Sequence, residues 1–363
     1  MIEKETNPQK DGTAISQKEP LFWGFGQIKF DRNFLLLLAI TILIFVVMSF
    51  LKPKVYPTSQ NINSMAFQLS EVGILTIGMM FAMLIGGIDL SVNATANLAA
   101  IVSGLTMIKL MPGGLTEGPM GLYILLALII GISIGALCGL INGILIAYVG
   151  IPAILATLGT MTLFTGLAVG ITKGSAVYGF PEPFLYPGNG FFLGIPIPFI
   201  IFILLATVAY IILERTSLGF QIYMLGTNPK ASKFSGVNNR SVIIKTHIIT
   251  GIMSAVAGLV ILSRTNSANA DYGRSYVLVT ILTAVLGGVA VSGGFGRIWS
   301  VVLAIFSLQQ LSTGFNMLLF QFKGSNFFRD FAWGILLLLV MVINYYQSKG
   351  KQKFSFRKKP PLT

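Results

Sequence analysis

Apolar runs of about 20 residues recur along this chain between short polar stretches, and nothing else in the sequence restricts the fold so severely. As a helix, a run of that length crosses a hydrocarbon layer about 30 Å thick. The runs are continuous and do not alternate residue by residue, so they read as helices and not as barrel strands. Candidate spans are 34–50, 65–86, 91–109, 120–147, 153–171, 196–213, 243–263, 276–290, 298–314 and 327–346. With 54% apolar and 10% charged residues, the 363-residue chain cannot cover itself with a wettable surface. The expectation is an all-α membrane protein of about ten transmembrane helices embedded in a lipid bilayer.

An even number of spans puts both termini on one side, and charge says which. Lys4, Lys10, Lys18, Lys29 and Arg32 precede the first span; Arg215, Lys230, Lys233, Arg240 and Lys245 lie in or beside the polar 214–242 segment. With Arg297 and six basic residues between Lys349 and Lys359, 17 of the 25 Lys and Arg fall on one face, which the positive-inside rule makes cytoplasmic. The expected organisation is a cytoplasmic N-terminal segment (1–33), a transmembrane domain (34–346) and a basic cytoplasmic tail (347–363). The first run, Phe34 to Phe50, follows no signal-peptide-like core and is expected to stay as an anchor. The net charge of +13 sits in loops and tails without aromatic platforms, so no nucleic-acid partner is expected.

Cys138 is the single cysteine and His247 the single histidine, too few to assemble a metal site, so none is expected. No Walker-type phosphate loop occurs, and ATP, if used, must be hydrolysed on another chain. Gly131-Ile132-Ser133-Ile134-Gly135 has the form of a nucleophile elbow but lies inside an apolar helix without a strand before it, and is read as a chance match. No catalytic residues are assigned, and an enzyme is the least favoured class.

The informative features lie inside the spans. Gly86-Gly87-Ile88-Asp89-Leu90-Ser91 interrupts one apolar run and starts the next. Asp89 or Ser91 can cap the new helix, or the break can border a solute path, since irregular backbone survives at membrane depth only beside protein or a water-filled cavity. Polar residues within spans are costly in lipid and face the bundle interior, which nominates Gln68, Glu71, Asn97, Asn142, Thr157, Thr160, Gln309 and Gln310. The substrate-pathway candidates are thus Gln68, Glu71, Asp89, Ser91, Asn97, Asn142 and Thr157, an amide- and hydroxyl-rich set that suits neutral hydroxylated solutes. Some of these residues are expected only to hold helices together. Gly131, Gly135, Gly139 and Gly143 make one helix face nearly bare, a seam for close helix packing or a gating surface. A second glycine-broken region holds Gly287-Gly288 and Gly293-Gly294-Phe295-Gly296. In the inner segment, Asn228 before Pro229 and Gly236 afterwards predict a short helix over Asn228 to Ser235, able to plug into another protein or to be an ordinary solvated loop.

Gly86-Gly87-Ile88-Asp89-Leu90-Ser91-Val92 resembles the permeases of bacterial ribose-type ATP-binding cassette (ABC) importers. So do the segment from Arg215 to Asn228, Phe234-Ser235-Gly236-Val237, and Ala284 to Gly288 followed by Ser292 to Gly296, all in the family's order. Gly135 to Asn142 and Leu193 to Pro198 look like the autoinducer-2 branch of that family. The resemblance implies an inner-membrane permease that pairs with a second, like or unlike, permease. It also implies two cytoplasmic ATPase subunits, which use the ATP, and an extracytoplasmic sugar-binding protein, with no cofactor on this chain. The 214–242 loop becomes the coupling element, with Gly226, Asn228, Pro229, Lys230, Ser235 and Gly236 as its contact residues. Two positions depart from the family: Asn93 stands where glycine is usual and is expected to keep a left-handed turn, and Thr227 replaces a loop glycine, which puts that loop's shape in question.

Two rivals remain at this point. An ion-coupled secondary transporter also uses glycine-broken helices, but few intramembrane carboxylates are present. An ABC permease for branched-chain amino acids or nucleosides keeps the machinery and changes the cargo.

Overall fold

The computed structural model describes residues 32–111 and 119–319 and, beyond them, residues 331, 333–335, 338 and 342. The expected tenth span (327–346), the N-terminal segment and the basic tail lie outside the described residues, apart from those positions and from Arg32 and 33.

The described chain is almost entirely helical: α1 Arg32–Leu51, α2 Ser59–Leu84, α3 Val92–Leu110, α4 Met120–Ile144, α5 Ala153–Thr172, α6 Glu182–Asn189, α7 Ile197–Arg215, α8 Ser217–Thr227, α9 Pro229–Phe234, α10 Asn239–Thr265, α11 Tyr276–Leu286 and α12 Ile298–Leu318. A π-helical turn, Leu145–Val149, extends α4, and Gly150 stops it in a left-handed conformation (φ 81°). Four two-residue strands form two antiparallel pairs: β1 Val177–Tyr178 with β4 Ser267–Ala268, and β2 Phe191–Phe192 with β3 Ile195–Pro196. They tie down the long loop between α5 and α7.

Among the described residues, seven helices are long and apolar enough to cross a membrane: α1, α2, α4 with its π turn, α5, α7, α10 and α12. Two of the expected spans behave otherwise. The run over 276–290 yields only the 11-residue α11, because Gly287 and Gly288 end it and Gly288 takes a positive φ of 84°. The 19 residues of α3 are long enough, but Asn93, Thr95, Asn97 and Ser103 make the helix too polar to face lipid, and all four are buried by protein. Burial sorts the rest. Helices α2 and α10 are enclosed, whereas α1, α4, α5 and α7 expose rows of Leu, Ile and Val, among them Leu43, Leu125, Leu155 and Leu204. Those rows are the surface a bilayer would wet.

Helix α10 is the central post, packed against α2, α3 and α4. The bare face of α4 is a packing seam: Gly135 lies against the Gly251 carbonyl and Ala255, Gly139 against the His247 carbonyl, and Gly143 against Ile244. Any Cβ at Gly139 would occupy the space of α10 backbone, so glycine permits the approach and lipid offers no competing hydrophobic drive. Cys138, on the same helix, is a buried filler.

Candidate functional site

Three polar or glycine-built features organise the interior, and α2 runs past all of them. Near its middle, α2 presents Gln68 and Glu71 to a recess of about 790 Å³, counting the part open to solvent, which α10, α11 and α12 complete. Glu71 is 1% exposed, too buried to remain charged without a partner, and Arg264 at the end of α10 supplies one through an Nη1 to Oε1 contact of 2.7 Å. The Tyr276 hydroxyl stands 3.5 Å from the other Glu71 oxygen. Burial first, and the Glu71 carboxylate second, push the Tyr272 phenol above its ordinary range, so this loop hydroxyl stays neutral beside the carboxylate. Opposite, Gln309 on α12 donates from Nε2 to the Gln68 carbonyl at 3.1 Å and to the Thr313 hydroxyl at 3.2 Å. A second recess of about 720 Å³, again counting the part open to solvent and lined by Asn63, Asn189 and Phe191, shares Gln68 and Arg264 with the first and so adjoins it.

The second feature is a buried hydrogen-bond chain at the break between α2 and α3. Asp89 Oδ1 accepts from the Ser91 amide at 2.9 Å and from its hydroxyl at 2.6 Å, a local turn that satisfies an amide at the start of α3. Ser91 occupies the cap position without making a side-chain cap bond of its own. Asn142 Nδ2 donates to Ser91 Oγ at 2.8 Å, and Thr160 donates to Asn142 Oδ1 at 2.6 Å, joining α4 and α5 to the break. Thr157 accepts from the Leu90 amide at 3.1 Å, and His247 Nδ1 stands 3.3 Å from Asp89 Oδ2. These side chains are all buried, and each has a protein partner, although the second ring nitrogen of His247, Nε2, is buried without one. Asn97 belongs to neither group: its Nδ2 donates to the carbonyls of Ala270 and Tyr272, and Asn93 donates to Tyr272 as well.

The third feature lies at the far end of α2. The Leu84 carbonyl accepts from the Gly294 amide at 2.8 Å, and Gly226 at the end of α8 packs against both groups. Gly293 sits against Gly86 and Gly226, and the Tyr223 hydroxyl donates to the Gly296 carbonyl at 2.8 Å. The two glycine-broken regions and the inner segment, far apart in sequence, thus form one hub. From it projects α9. The Asn228 side chain accepts from the amides of Lys230 and Ala231 at 3.1 and 3.0 Å, Pro229 opens the helix, and Gly236 follows it at φ 82°. Asn228, Pro229, Lys230 and Ser235 are exposed, as is Phe234, at 92% of its surface.

Of the expected pathway residues, the structure brings Gln68 and Glu71 together at the recess, with Gln309. Asp89, Ser91, Asn142 and Thr157 meet in the separate buried chain, and Asn97 lies against the α10–α11 connection. Gln310 lines neither recess; its side-chain Oε1 is buried without a partner, and its backbone carbonyl accepts from the Tyr56 hydroxyl. Arg264 and Tyr276 were not among the candidates, because sequence position put them at loop edges; the signal available was the intramembrane carboxylate of Glu71, which needs a cationic partner. Thr227 and Asn93 both sit in helical backbone, so neither needs the left-handed conformation expected of a glycine replacement, and Thr227 returns its hydroxyl to the Tyr223 carbonyl at 2.8 Å. No cluster of three or more metal-ligating side chains occurs among the described residues.

The family described as "Branched-chain amino acid transport system / permease component" matches residues 61–344. The ribose import permease protein RbsC of Bacillus subtilis is 34% identical over 306 residues, 84% of this chain and 90% of the relative. The D-allose transport system permease protein AlsC of Escherichia coli is 32% identical over 341 residues, 93% and 98% of the two chains. The autoinducer 2 import system permease protein LsrD of Salmonella typhi is 32% identical over 285 residues, 76% and 82%. No solved structure matches significantly. A helical membrane architecture, a polar recess and these likenesses over most of the chain agree: the chain belongs to the family of ribose-type ABC importer permeases.

Proposed function

We propose that this chain is the transmembrane subunit through which an ATP-driven importer passes a monosaccharide or related polyhydroxylated solute, autoinducer-2 included, across a bacterial inner membrane. Its named relatives import ribose, allose and autoinducer-2, which favours that cargo over branched-chain amino acids or nucleosides. The ATP would be consumed on two separate cytoplasmic ATPase chains, with a second permease and an extracytoplasmic binding protein completing the complex. This chain carries the passage and performs no hydrolysis.

The observation that carries this reading is that one helix links both ends of the machine. Glu71 lines the recess and the Leu84 carbonyl is held in the hub; 13 residues of α2 separate them, about 20 Å along the axis. Basic residues Arg215, Lys230, Lys233 and Arg240 accompany the hub end, which the positive-inside rule makes cytoplasmic. The recess then opens outward, where a binding protein would deliver solute. A push on α8 and α9 from closing ATPases reaches α2 through Gly226, Leu84 and Gly294. Interdigitated backbone transmits it with little give, and rigid-body rocking alternates access to the recess.

The test is uptake into proteoliposomes by the chain co-expressed with its ATPases and binding protein. ATP-dependent accumulation of a pentose, hexose or autoinducer-2 is expected. Transport by this chain alone down an ion gradient would refute the reading.

A further inference from the structure

We infer that the β2–β3 hairpin is a lipid anchor: its tip seats at the boundary between acyl chains and headgroups of the outer leaflet, and does not stand in water or receive a soluble partner. The inference depends on the bilayer placement given above and is independent of cargo and of ATP. Phe191-Phe192-Leu193-Gly194-Ile195 carries no charge and no side-chain hydrogen-bonding group. Leu193 is 87% exposed and Phe192 62%, and Ile195 is exposed beside them. Tyr186 of α6, also exposed, donates from its hydroxyl to the Phe191 carbonyl at 3.3 Å. Apolar side chains next to a tyrosine are the composition of a membrane boundary. The tip backbone adds a second observation. Leu193 and Gly194 take successive positive φ angles of 51° and 80°, a turn that ordinarily calls for Asn-Gly. Leucine is a poor residue for that backbone, and at 87% exposure it contributes almost nothing to packing within the chain. An apolar side chain kept on unfavourable backbone points to a use outside the chain.

Depth decides what covers it. Helix α7 begins directly after β3, and the Ile197 amide donates to the Gly190 carbonyl at 3.0 Å, so the hairpin is fixed to the outer end of α7. At the inner end, the exposed Glu214 marks where hydrocarbon stops. Between them, Ile197 to Leu213 rises about 24 Å, less than the roughly 30 Å of hydrocarbon, and any tilt reduces it further. Ile197 therefore lies no higher than the outer edge of the hydrocarbon. The four residues back to Leu193 span at most about 14 Å when fully extended, and the turn shortens that reach, so the tip stays at the level of the headgroups or below. A soluble protein could reach it only by displacing lipid. Along α7 below the hairpin, Leu204, Val208 and Ile211 are exposed, so the tip continues a surface the bilayer already wets. The root is held from the other side: the Phe191 ring meets Phe67 of α2 edge-on, with centroids 5.4 Å apart.

The experiment is nitroxide labelling of Leu193→Cys in the full chain, reconstituted in nanodiscs of phosphatidylethanolamine and phosphatidylglycerol. Collision with oxygen, which concentrates in hydrocarbon, is compared with collision with a water-soluble nickel chelate. Cys138 is buried, so the unsubstituted chain provides the blank. Leu204→Cys on the lipid-facing surface of α7 and Ser235→Cys beyond α9 set the two ends of the scale. The oxygen-to-nickel ratio at Leu193 should lie well above that at Ser235 and at or below that at Leu204, and Phe192→Cys should give the same ordering. A ratio equal to that at Ser235 would place the tip in water and overturn the anchor. Shielding from both reagents would mean that a second copy of the chain covers the tip, which also overturns it. The ordering should persist when the ATPases, the second permease and the binding protein are added. Loss of oxygen access only then would assign the hairpin to a protein partner and overturn the lipid assignment.

Discussion

Replacing Gly226 by alanine is the sharpest test of the hub. Alanine is the better helix former, and at an exposed helical site the change would stabilise α8 by about 1 kcal/mol. Here a Cβ would run into the Leu84 carbonyl oxygen and the Gly294 amide nitrogen, both backbone, so no side-chain rotation relieves it. Making room costs about 1–3 kcal/mol in overpacking. It also separates the 2.8 Å bond between the Gly294 amide and the Leu84 carbonyl, with about 1 kcal/mol lost and more if either group stays unsatisfied. Set against the helix gain, a net loss of about 1–3 kcal/mol follows. Gly174→Ala is the control: its φ of 76° is unfavourable for alanine by about 1–2 kcal/mol, but nothing crowds it, so the strain stays local. Thermal unfolding of the purified chain, with ATP-driven uptake measured at a temperature where both variants are folded, separates the two. Gly226→Ala should lose uptake per folded molecule, whereas Gly174→Ala should lose only stability. Wild-type uptake and stability in Gly226→Ala would refute the hub as the link between α8 and α2.

Other substitutions probe the interior. Gly139→Ala should destabilise the chain by about 1–3 kcal/mol or prevent folding, because the new methyl group meets the His247 carbonyl; Gly166→Ala, with open space around it, should be nearly silent in the same unfolding assay. Arg264→Gln should cost more than Glu71→Gln, since it strands a carboxylate buried to 1%, and a loss approaching the roughly 3–5 kcal/mol of a broken buried pair is expected, reduced by the 27% exposure of the guanidinium. Asn142→Leu removes a donor to Ser91 and an acceptor from Thr160, and a loss of about 2–4 kcal/mol should appear as earlier unfolding. Unfolding at the wild-type temperature would mean that this hydrogen-bond chain does not hold the break together.

Much of the architecture was legible from residues alone because lipid enforces simple rules. Apolar length and confined charge determined a helical membrane protein, and the Asn-Pro pair with a following glycine gave the bounds of α9 while leaving a solvated loop open, since capping and left-handed stops depend only on neighbours in the chain. The regular glycines of α4 announced a close contact. What they touched was not stated, because glycine records that something approaches and not which element does. Tertiary structure alone decided that the amides, hydroxyls and carboxylates of the spans divide into a recess at Glu71 and a buried chain at Asp89. Both groups draw on the same residue types, α10 contributes to each through Arg264 and His247, and only the packing of the helices sets which group faces a cavity. It likewise decided that Gly226, Gly86 and Gly294 meet, a juxtaposition that depends on how far each helix runs and where it crosses its neighbours, and that no local pattern encodes.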